Sequence, residues 1–375
     1  MSQDFVRSLP THERTLRSGG LYSLHIDPWL FGLVMLVVGC GLIVLYSAVD
    51  QSQVLFQAQL LRLGVSLAAL IIAAQLPPQF YVRWAPYIYV AGVVLLVLVL
   101  VMGVTVKGSR RWLDVAGITR FQPSEFMKIA VPMAVAWYFH ERPLPPSFKD
   151  VCVALGIVAV PAGLIIAQPD LGTGILVAGA GLAVVVLAGL PWRWVAYAFI
   201  ALAAAAPGLW YTLQEYQRMR ILTLFDPESD PLGAGWNIIQ STTAIGSGGL
   251  TGKGLLQGTQ SHLDFLPEAR TDFIIAVIGE ELGLLGVLIL LTLYLLIIAR
   301  GLYLAASAES TFGRLLSGAL ILTFFVYLFV NIAMVSGLLP VVGVPLPLVS
   351  YGGTSALTIM AGFGIIMAIR THKAW

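Results

Sequence analysis

Long apolar runs joined by short polar stretches fill the chain from residue 28 to residue 370. A helix crossing the hydrocarbon of a bilayer needs about 20 apolar residues. On that measure the pattern predicts ten spans, at about residues 28–48, 57–76, 86–103, 123–141, 150–167, 172–189, 192–212, 272–299, 312–336 and 350–370. Helices are expected because each satisfies its own backbone hydrogen bonds within lipid. The fifth and sixth runs are separated only by Gln168-Pro169-Asp170-Leu171-Gly172, a tight turn with Pro169 and Gly172 as breakers.

Three stretches depart from this rhythm. Residues 213–271 form a long mixed segment between the seventh and eighth runs, and long loops in compact folds are functional or disordered. Trp236, Ile238, Ile239, Leu255, Leu256 and Phe265 give it enough apolar content to pack, and WNIIQSTTAI (236–245) predicts a short amphipathic helix at the membrane interface. Its GSGGLTGKG run looks like a phosphate-cradling glycine loop but lacks the P-loop spacing. In VVGVPLPLVSYGGTS, Pro345 and Pro347 predict an extended, re-entrant segment before the tenth span, irregular backbone that membrane depth tolerates only inside protein or along a cavity. The SYGGTS run suits headgroup contact or tight helix packing, and packing is the safer expectation.

Composition sharpens the class. Hydrophobic residues are 58% of the chain and charged residues 11%, against about a quarter charged in soluble domains. The sequence therefore reads as an all-α polytopic membrane protein. A net charge of +2 argues against a nucleic-acid partner. Cys40 and Cys152 both lie in apolar runs, so no disulfide framework is expected. Residues 1–27 do not read as a cleaved signal, because the run that follows is long enough to span. An even number of spans puts both termini on one side, and the Lys and Arg distribution weakly favours the cytoplasm for that side. The expected organisation is a cytoplasmic segment 1–27, one transmembrane domain 28–370 with an extracytoplasmic loop 213–271, and a cytoplasmic tail 371–375. Against the charge rule, the outer joint VKGSRRWLDVAGITRF carries Lys107, Arg110, Arg111 and Arg120, which suggests that it holds an anion.

Ionisable residues inside spans are functional-site hypotheses by default. Glu125 and Lys128, three apart, share a helix face. They read either as a structural ion pair or as the lining of a polar cavity. Asp170 reads as an N-cap of the sixth helix. In LPEARTDFIIAVIGEELG (266–283), Asp272 stands at the mouth of the eighth span, where capping with Thr271 is the plain reading. At about 100° per residue, Glu280 lies about 80° and Glu281 about 180° around the axis from it, so the three carboxylates do not share one site. Lys128 and Arg62 are candidate partners for the deeper pair.

Taken together, RRWLD, FQPSEFMKIA, AQPDLGTG, DPESDPLGAGWNIIQS, FLPEARTDFIIAVIGEELG and PVVGVPLPLVSYGGTS resemble the SEDS family (shape, elongation, division and sporulation) from about residue 27 to the C-terminus. The segment DPESDPLGAGWNIIQSTTAIGSGGLTGKG is similar to the elongation branch rather than the division branch. The resemblance implies a peptidoglycan glycosyltransferase acting on lipid II, a disaccharide-pentapeptide on undecaprenyl pyrophosphate. It would join the 4-hydroxyl of an acceptor GlcNAc to C1 of a donor MurNAc with inversion, releasing undecaprenyl pyrophosphate. It further implies the bacterial cytoplasmic (inner) membrane, a class B penicillin-binding protein (a transpeptidase) as partner, and the aspartate of the TDF motif, here Asp272, as the essential acid.

The residues fit that chemistry. A carboxylate can act as base on the attacking group of a glycosyl transfer, and the pyrophosphate needs positive charge where its own develops. The outer supply is Lys107, Arg110, Arg111, Arg218, Arg220 and Lys253. Arginine is the better bidentate phosphate ligand, which favours Arg111, Arg218 and Arg220. Gln217, Asp170 and Trp112 complete the expected substrate-binding set. Trp112 stacks on a sugar or sits as an interfacial aromatic. Glu125 and Lys128 are expected to keep Asp272 ionised and placed. The chemistry admits a divalent cation, and the sequence holds no ligand cluster for one. Two rivals remain: a lipid II flippase, and a non-catalytic scaffold for a transpeptidase. The charged residues gather at one face and in the long loop, which suits chemistry there better than passage through the midplane.

Overall fold

The computed structural model describes residues 24–106, 109–115, 119–230, 233–259 and 268–372. Each of the ten apolar runs is a helix: α1 Pro28–Ala48, α2 Gln53–Gln75, α3 Pro78–Met102, α4 Pro123–Phe139, α5 Phe148–Ala167, α6 Leu171–Leu187, α7 Trp192–Thr212, α10 Ile274–Ala306, α11 Thr311–Val335 and α12 Thr354–Thr371. Two more, α8 Glu215–Phe225 and α9 Ala234–Gly248, lie in the long segment. By length and composition α1, α2, α3, α5, α10, α11 and α12 are each apolar and long enough to cross a membrane.

Local chemistry sets several of the starts. The Asp27 carboxylate accepts from the Leu30 N–H at 2.9 Å, with Pro28 at the first helical position. Ser147 and Asp150 form a capping box at α5, and Ser310 caps α11 through Gly313. Helix α3 begins at Pro78, eight residues before the expected start, and carries Pro86 inside it. Its first turns (QFYVRW) are too mixed to read as a span. Neighbouring helices let a membrane helix keep such a proline.

Helices α4, α6, α11 and α12 form the centre, with α12 packed on α2, α4 on α3 and α6, and α11 on α6 and α10. Helix α7 is exposed along most of its length. The joint between α3 and α4 departs from the all-helical expectation. It folds as a small antiparallel meander of β1 Val104–Val106, β2 Ser109–Val115 and β3 Thr119–Phe121, with Val104 opposite Trp112 and Leu113 opposite Phe121. The predicted amphipathic helix exists as α9. It packs against the first half of α10. Ile238 and Ala244 are buried, and the Ser241 hydroxyl donates to the Val335 carbonyl at 2.9 Å.

Helix α10 is broken at Gly283, whose φ of 66° and ψ of −166° only glycine adopts readily. The break leaves backbone groups without helical partners at membrane depth, where each would cost several kcal/mol. The glycine-rich run supplies them. Lys253 and Gly254 N–H groups donate to the Glu280 and Glu281 carbonyls at 3.0 and 2.9 Å, and Leu284 and Leu285 N–H groups donate to Gly249 and Leu250 at 3.0 and 3.1 Å. A Cβ on Gly283 would overlap Leu250 and Gly252. Gly248 and Gly252 therefore serve close backbone approach to α10, where a Cβ would overlap the Gly279 and Glu281 carbonyls.

Both ends of the described chain meet at one end of the bundle, as the even span number requires. The Thr371 hydroxyl donates to the His25 carbonyl at 3.2 Å, and the His25 and His372 rings stack at 3.7 Å. Cys40 and Cys152 are free.

Candidate active site

Asp272 lies in the turn that leads into α10, at the end opposite His25 and His372. It is not the helix cap: Phe273 holds the N-cap position without a side-chain bond, and the Thr271 hydroxyl donates to the Glu268 carboxylate at 2.8 Å. The turn is held by backbone pins from two other elements. Asn331 of α11, fully buried, donates through one amide nitrogen to the Asp272 carbonyl at 2.8 Å and to the Val344 carbonyl at 2.7 Å. The Tyr351 N–H donates to the Arg270 carbonyl at 2.8 Å, and the Ser350 hydroxyl donates to the Thr271 carbonyl while accepting from Leu346 N–H at 2.8 Å. The expected irregular segment 340–350 is thus real, and its end holds the Asp272 turn through Ser350 and Tyr351. Gly343, at φ 76°, faces the Asp272 carboxylate, which a Cβ there would meet at 3.5 Å, an ordinary contact; any other residue there would strain the backbone.

Glu125 and Lys128 form a buried ion pair on α4. The Lys128 ammonium also sits 4.4 Å from the centroid of the Tyr327 ring. Beside the pair, α4, α11 and α12 leave a cavity of about 40 Å³, room for a few waters and no more. The pair is thus an ion pair, as one sequence reading expected; the cavity that it borders is mostly apolar, lined by Leu320, Phe324, Ile359 and Phe363 among others, not the polar one of the other reading. Tyr327 stands one turn before Asn331 on α11 and packs with Val344, so continuous contacts run from the pair to the Asp272 turn.

The structure divides the expected substrate residues. Asp170 is an N-cap, accepting from Thr173 N–H at 3.2 Å. It is 5% exposed and lies 3.5 Å from the Arg111 guanidinium, which also donates to the Pro169 carbonyl at 2.6 Å. Arg111 and Asp170 therefore form one group at the β2–α6 corner, and the half-buried Trp112, next to Arg111 on β2, stands opposite Val104. Gln217 accepts from Gln214 N–H at 3.0 Å in the capping box of α8. Arg218 donates to the Tyr211 carbonyl at 2.7 Å, and Arg220 is exposed on the same helix. Lys107 lies outside the described residues, as do the side chains of Arg110 and Arg120.

Lys253, expected among the substrate residues, has protein partners. Its ammonium bonds the Glu280 carboxylate at 2.7 Å and the Thr259 hydroxyl at 2.8 Å, and Thr259 N–H donates to the same carboxylate oxygen at 2.7 Å. Glu281 accepts from Ser47 of α1 at 2.6 Å. Neither Lys128 nor Arg62 serves these acids: Lys128 pairs with Glu125, and Arg62 stacks 4.6 Å over the Tyr351 ring. The charges of 280 and 281 answer the α9–α10 loop and α1, on faces the sequence could separate but not match. Asn331 went unread in the sequence, although a lone amide in the apolar run VYLFVNIAMV is the kind of signal that marks one; Ser350 was read only as part of the SYGGTS run, without its partner. Among the described residues no three His, Cys, Asp or Glu side chains converge as a metal site.

These features define a multi-pass helical membrane protein with an aspartate on a pinned turn at one end of its bundle. Residues 22–374 match the family model described as cell cycle protein, covering FtsW, RodA and SpoVE, and the chain belongs to that family. It is 53% identical over 351 residues to the peptidoglycan glycosyltransferase MrdB of Escherichia coli K12, covering 93% of this chain and 95% of that protein. Identity to the stage V sporulation protein E of Bacillus subtilis is 35% over 362 residues, 93% and 98% of the two chains. Among solved structures, a chain from work on the structural coordination of polymerization and crosslinking by a peptidoglycan synthase complex superposes with a TM-score of 0.81 at 32% identity, covering 92% of this chain and 97% of that one. The rod shape determining protein RodA of Thermus thermophilus superposes with a TM-score of 0.70 at 30% identity, covering 92% and 96%.

Proposed function

We propose that the protein is a peptidoglycan glycosyltransferase that polymerises lipid II at the outer face of the cytoplasmic membrane, with Asp272 as the base on the acceptor 4-hydroxyl. The observation that carries this is the pinning of the Asp272 turn: three backbone carbonyls at 270, 271 and 272 are held by α11 and by the 350–351 turn, with a glycine facing the carboxylate. An acid fixed this way is preorganised for proton transfer to one position. Cleavage of the donor C1–O bond expels undecaprenyl pyrophosphate, already a good leaving group, so no strong general acid is required. Arg218 and Arg220, with Arg111 at the β2–α6 corner, supply positive charge for it. Glu125 and Lys128 act behind the site, through Tyr327 and α11.

The same-end termini and the basic residues near them support cytoplasmic termini, with the loop 213–271 outside the cell and residues 28–370 as one transmembrane domain. A class B penicillin-binding protein that crosslinks the product is the proposed partner. The test is a purified-protein assay with labelled lipid II, with and without that partner. Wild type should make glycan, and Asp272→Ala should make none while keeping its melting temperature. A flippase would move lipid II without product, and a scaffold would yield no product of its own. Glycan from the Asp272→Ala protein would sink the assignment.

A further inference from the structure

A second candidate site lies at the terminal end of the bundle, opposite Asp272. A cavity of about 270 Å³ opens between the start of α3, the α10–α11 joint and the end of α12, lined among others by Gln79, Arg83, Glu309, Ser310, Arg370 and His372. Several arginines elsewhere in the chain find protein partners: Arg62 stacks on Tyr351, Arg111 meets Asp170, Arg142 meets Asp150, and Arg300 meets Asp27. Arg83 and Arg370 do not. Among the described residues neither guanidinium has a hydrogen bond or ion pair, and the Nε of Arg370 is buried without an acceptor. A buried donor left unmatched is costly, and here it borders an open cavity. The α11 N-terminus reaches the same space through its cap Ser310, and helix N-termini favour anions.

The charges narrow the ligand. Two guanidiniums against the single carboxylate of Glu309 leave one net positive charge, which matches a monoanion such as a phosphodiester. The surroundings narrow it again. Trp84 and Tyr87, exposed by 47% and 66% on the same turns of α3 as Arg83, form the kind of aromatic belt that sits at headgroup level. Val82 and Ile369 give the lining an apolar side. We propose that this cavity binds the phosphodiester headgroup of an anionic glycerophospholipid, with Arg370 and Arg83 as its ligands. Basic pockets between helices at a membrane face take such headgroups. The inference does not depend on the assignment of Asp272.

Native mass spectrometry of the full chain, released from detergent with phosphatidylglycerol or phosphatidylcholine, tests it. Wild type should retain phosphatidylglycerol over phosphatidylcholine, and Arg83→Gln with Arg370→Gln should lose that retention by about tenfold. Arg193→Gln, an exposed arginine at the start of α7, should leave it unchanged. Equal retention of the two lipids by wild type would overturn the proposal, as would loss in Arg193→Gln to the same extent. Should the double variant fail to fold, Arg83→Gln alone and the wild-type preference between lipids still decide. A third arm adds inorganic phosphate and glycerol phosphate to delipidated protein. If either displaces phosphatidylglycerol at equal concentration, the site reads free phosphate and the lipid assignment falls.

Discussion

The Asp272 mouth and the α7–α8 arm each present charge at the same end of the bundle, and they hold it by opposite means. At the mouth, Phe273 to Glu281 are all buried, and three successive carbonyls are fixed by a buried amide, a hydroxyl and a backbone N–H. On the arm, α7 is exposed over most of its length, and among the described residues Arg218 is tied to the carbonyl of Tyr211, within the arm itself. The difference suits two tasks. A base must hold one position against one proton, whereas charges that meet a pyrophosphate on a long lipid need reach more than precision. A rigid acid and a loosely packed cationic arm are what the proposed chemistry would ask of each.

The comparison breaks most sharply at the acid. Asp272→Asn keeps the turn's backbone bonds and removes the proton acceptor, so polymerisation should fall by at least about 100-fold, the low end for a general base. Its melting temperature should match wild type. A variant that lost stability as well would mean that the carboxylate is part of the pinning.

Lys253 tests where the arm's influence stops. It was expected to meet substrate, yet it pairs with the fully buried Glu280. Lys253→Met would leave that carboxylate without its cation, and breaking a buried pair this way costs about 3–5 kcal/mol. Thermal unfolding should therefore show a large loss, most of it recovered in Lys253→Met with Glu280→Gln. Unchanged stability with a raised KM would return Lys253 to the substrate.

What the sequence made legible follows the same divide. The ten runs became ten helices because apolar length needs no knowledge of partners, and Asp170 became a cap because capping is local. Periodicity separated Asp272 from Glu280 and Glu281, but it could not find the partners, since Lys253 and Ser47 arrive from distant segments. The α3–α4 joint was read for its charge and not for strands of three, seven and three residues. The glycine run was weighed as a ligand loop when its use is to mend the break at Gly283. Cooperation between non-local backbones leaves little trace in local pattern.

Asn331 sharpens the role of pinning. Asn331→Leu keeps the volume and strands two carbonyls, each costing about 1–3 kcal/mol. The Asp272 turn would relax, and a displacement of about 1 Å is enough for a loss of about 100-fold in rate. The expected signature is a fall in kcat with KM nearly unchanged. Equal falls in stability and in the amount of folded protein, with kcat per folded molecule intact, would reduce Asn331 to a structural residue. On the arm the split should invert. Arg218→Ala with Arg220→Ala should raise KM by about tenfold, the equivalent of about 1.4 kcal/mol, with little change in melting temperature because the helix buries so little. A fall in kcat alone would place the arm with the acid.

The smallest effect belongs to the far end, where the contact is between two rings. Burial lowers the pKa of His25 below its usual 6.5, and the charge of His372 lowers it further. The folded chain therefore binds fewer protons than the unfolded one between the lowered value and 6.5. The stability this contact contributes is complete above 6.5 and is lost as pH falls through the folded value. The protection factors of residues 24–27, corrected for the intrinsic pH dependence of amide exchange, should accordingly fall between pH 7.5 and pH 5.5, while those of the turn at 268–272 stay unchanged. In His372→Gln the response should weaken but persist, because burial, the larger cause, remains. Complete loss of the response in that variant would make the second ring the dominant cause, and loosening of both ends together would mean that the acid's turn is not held independently of the termini.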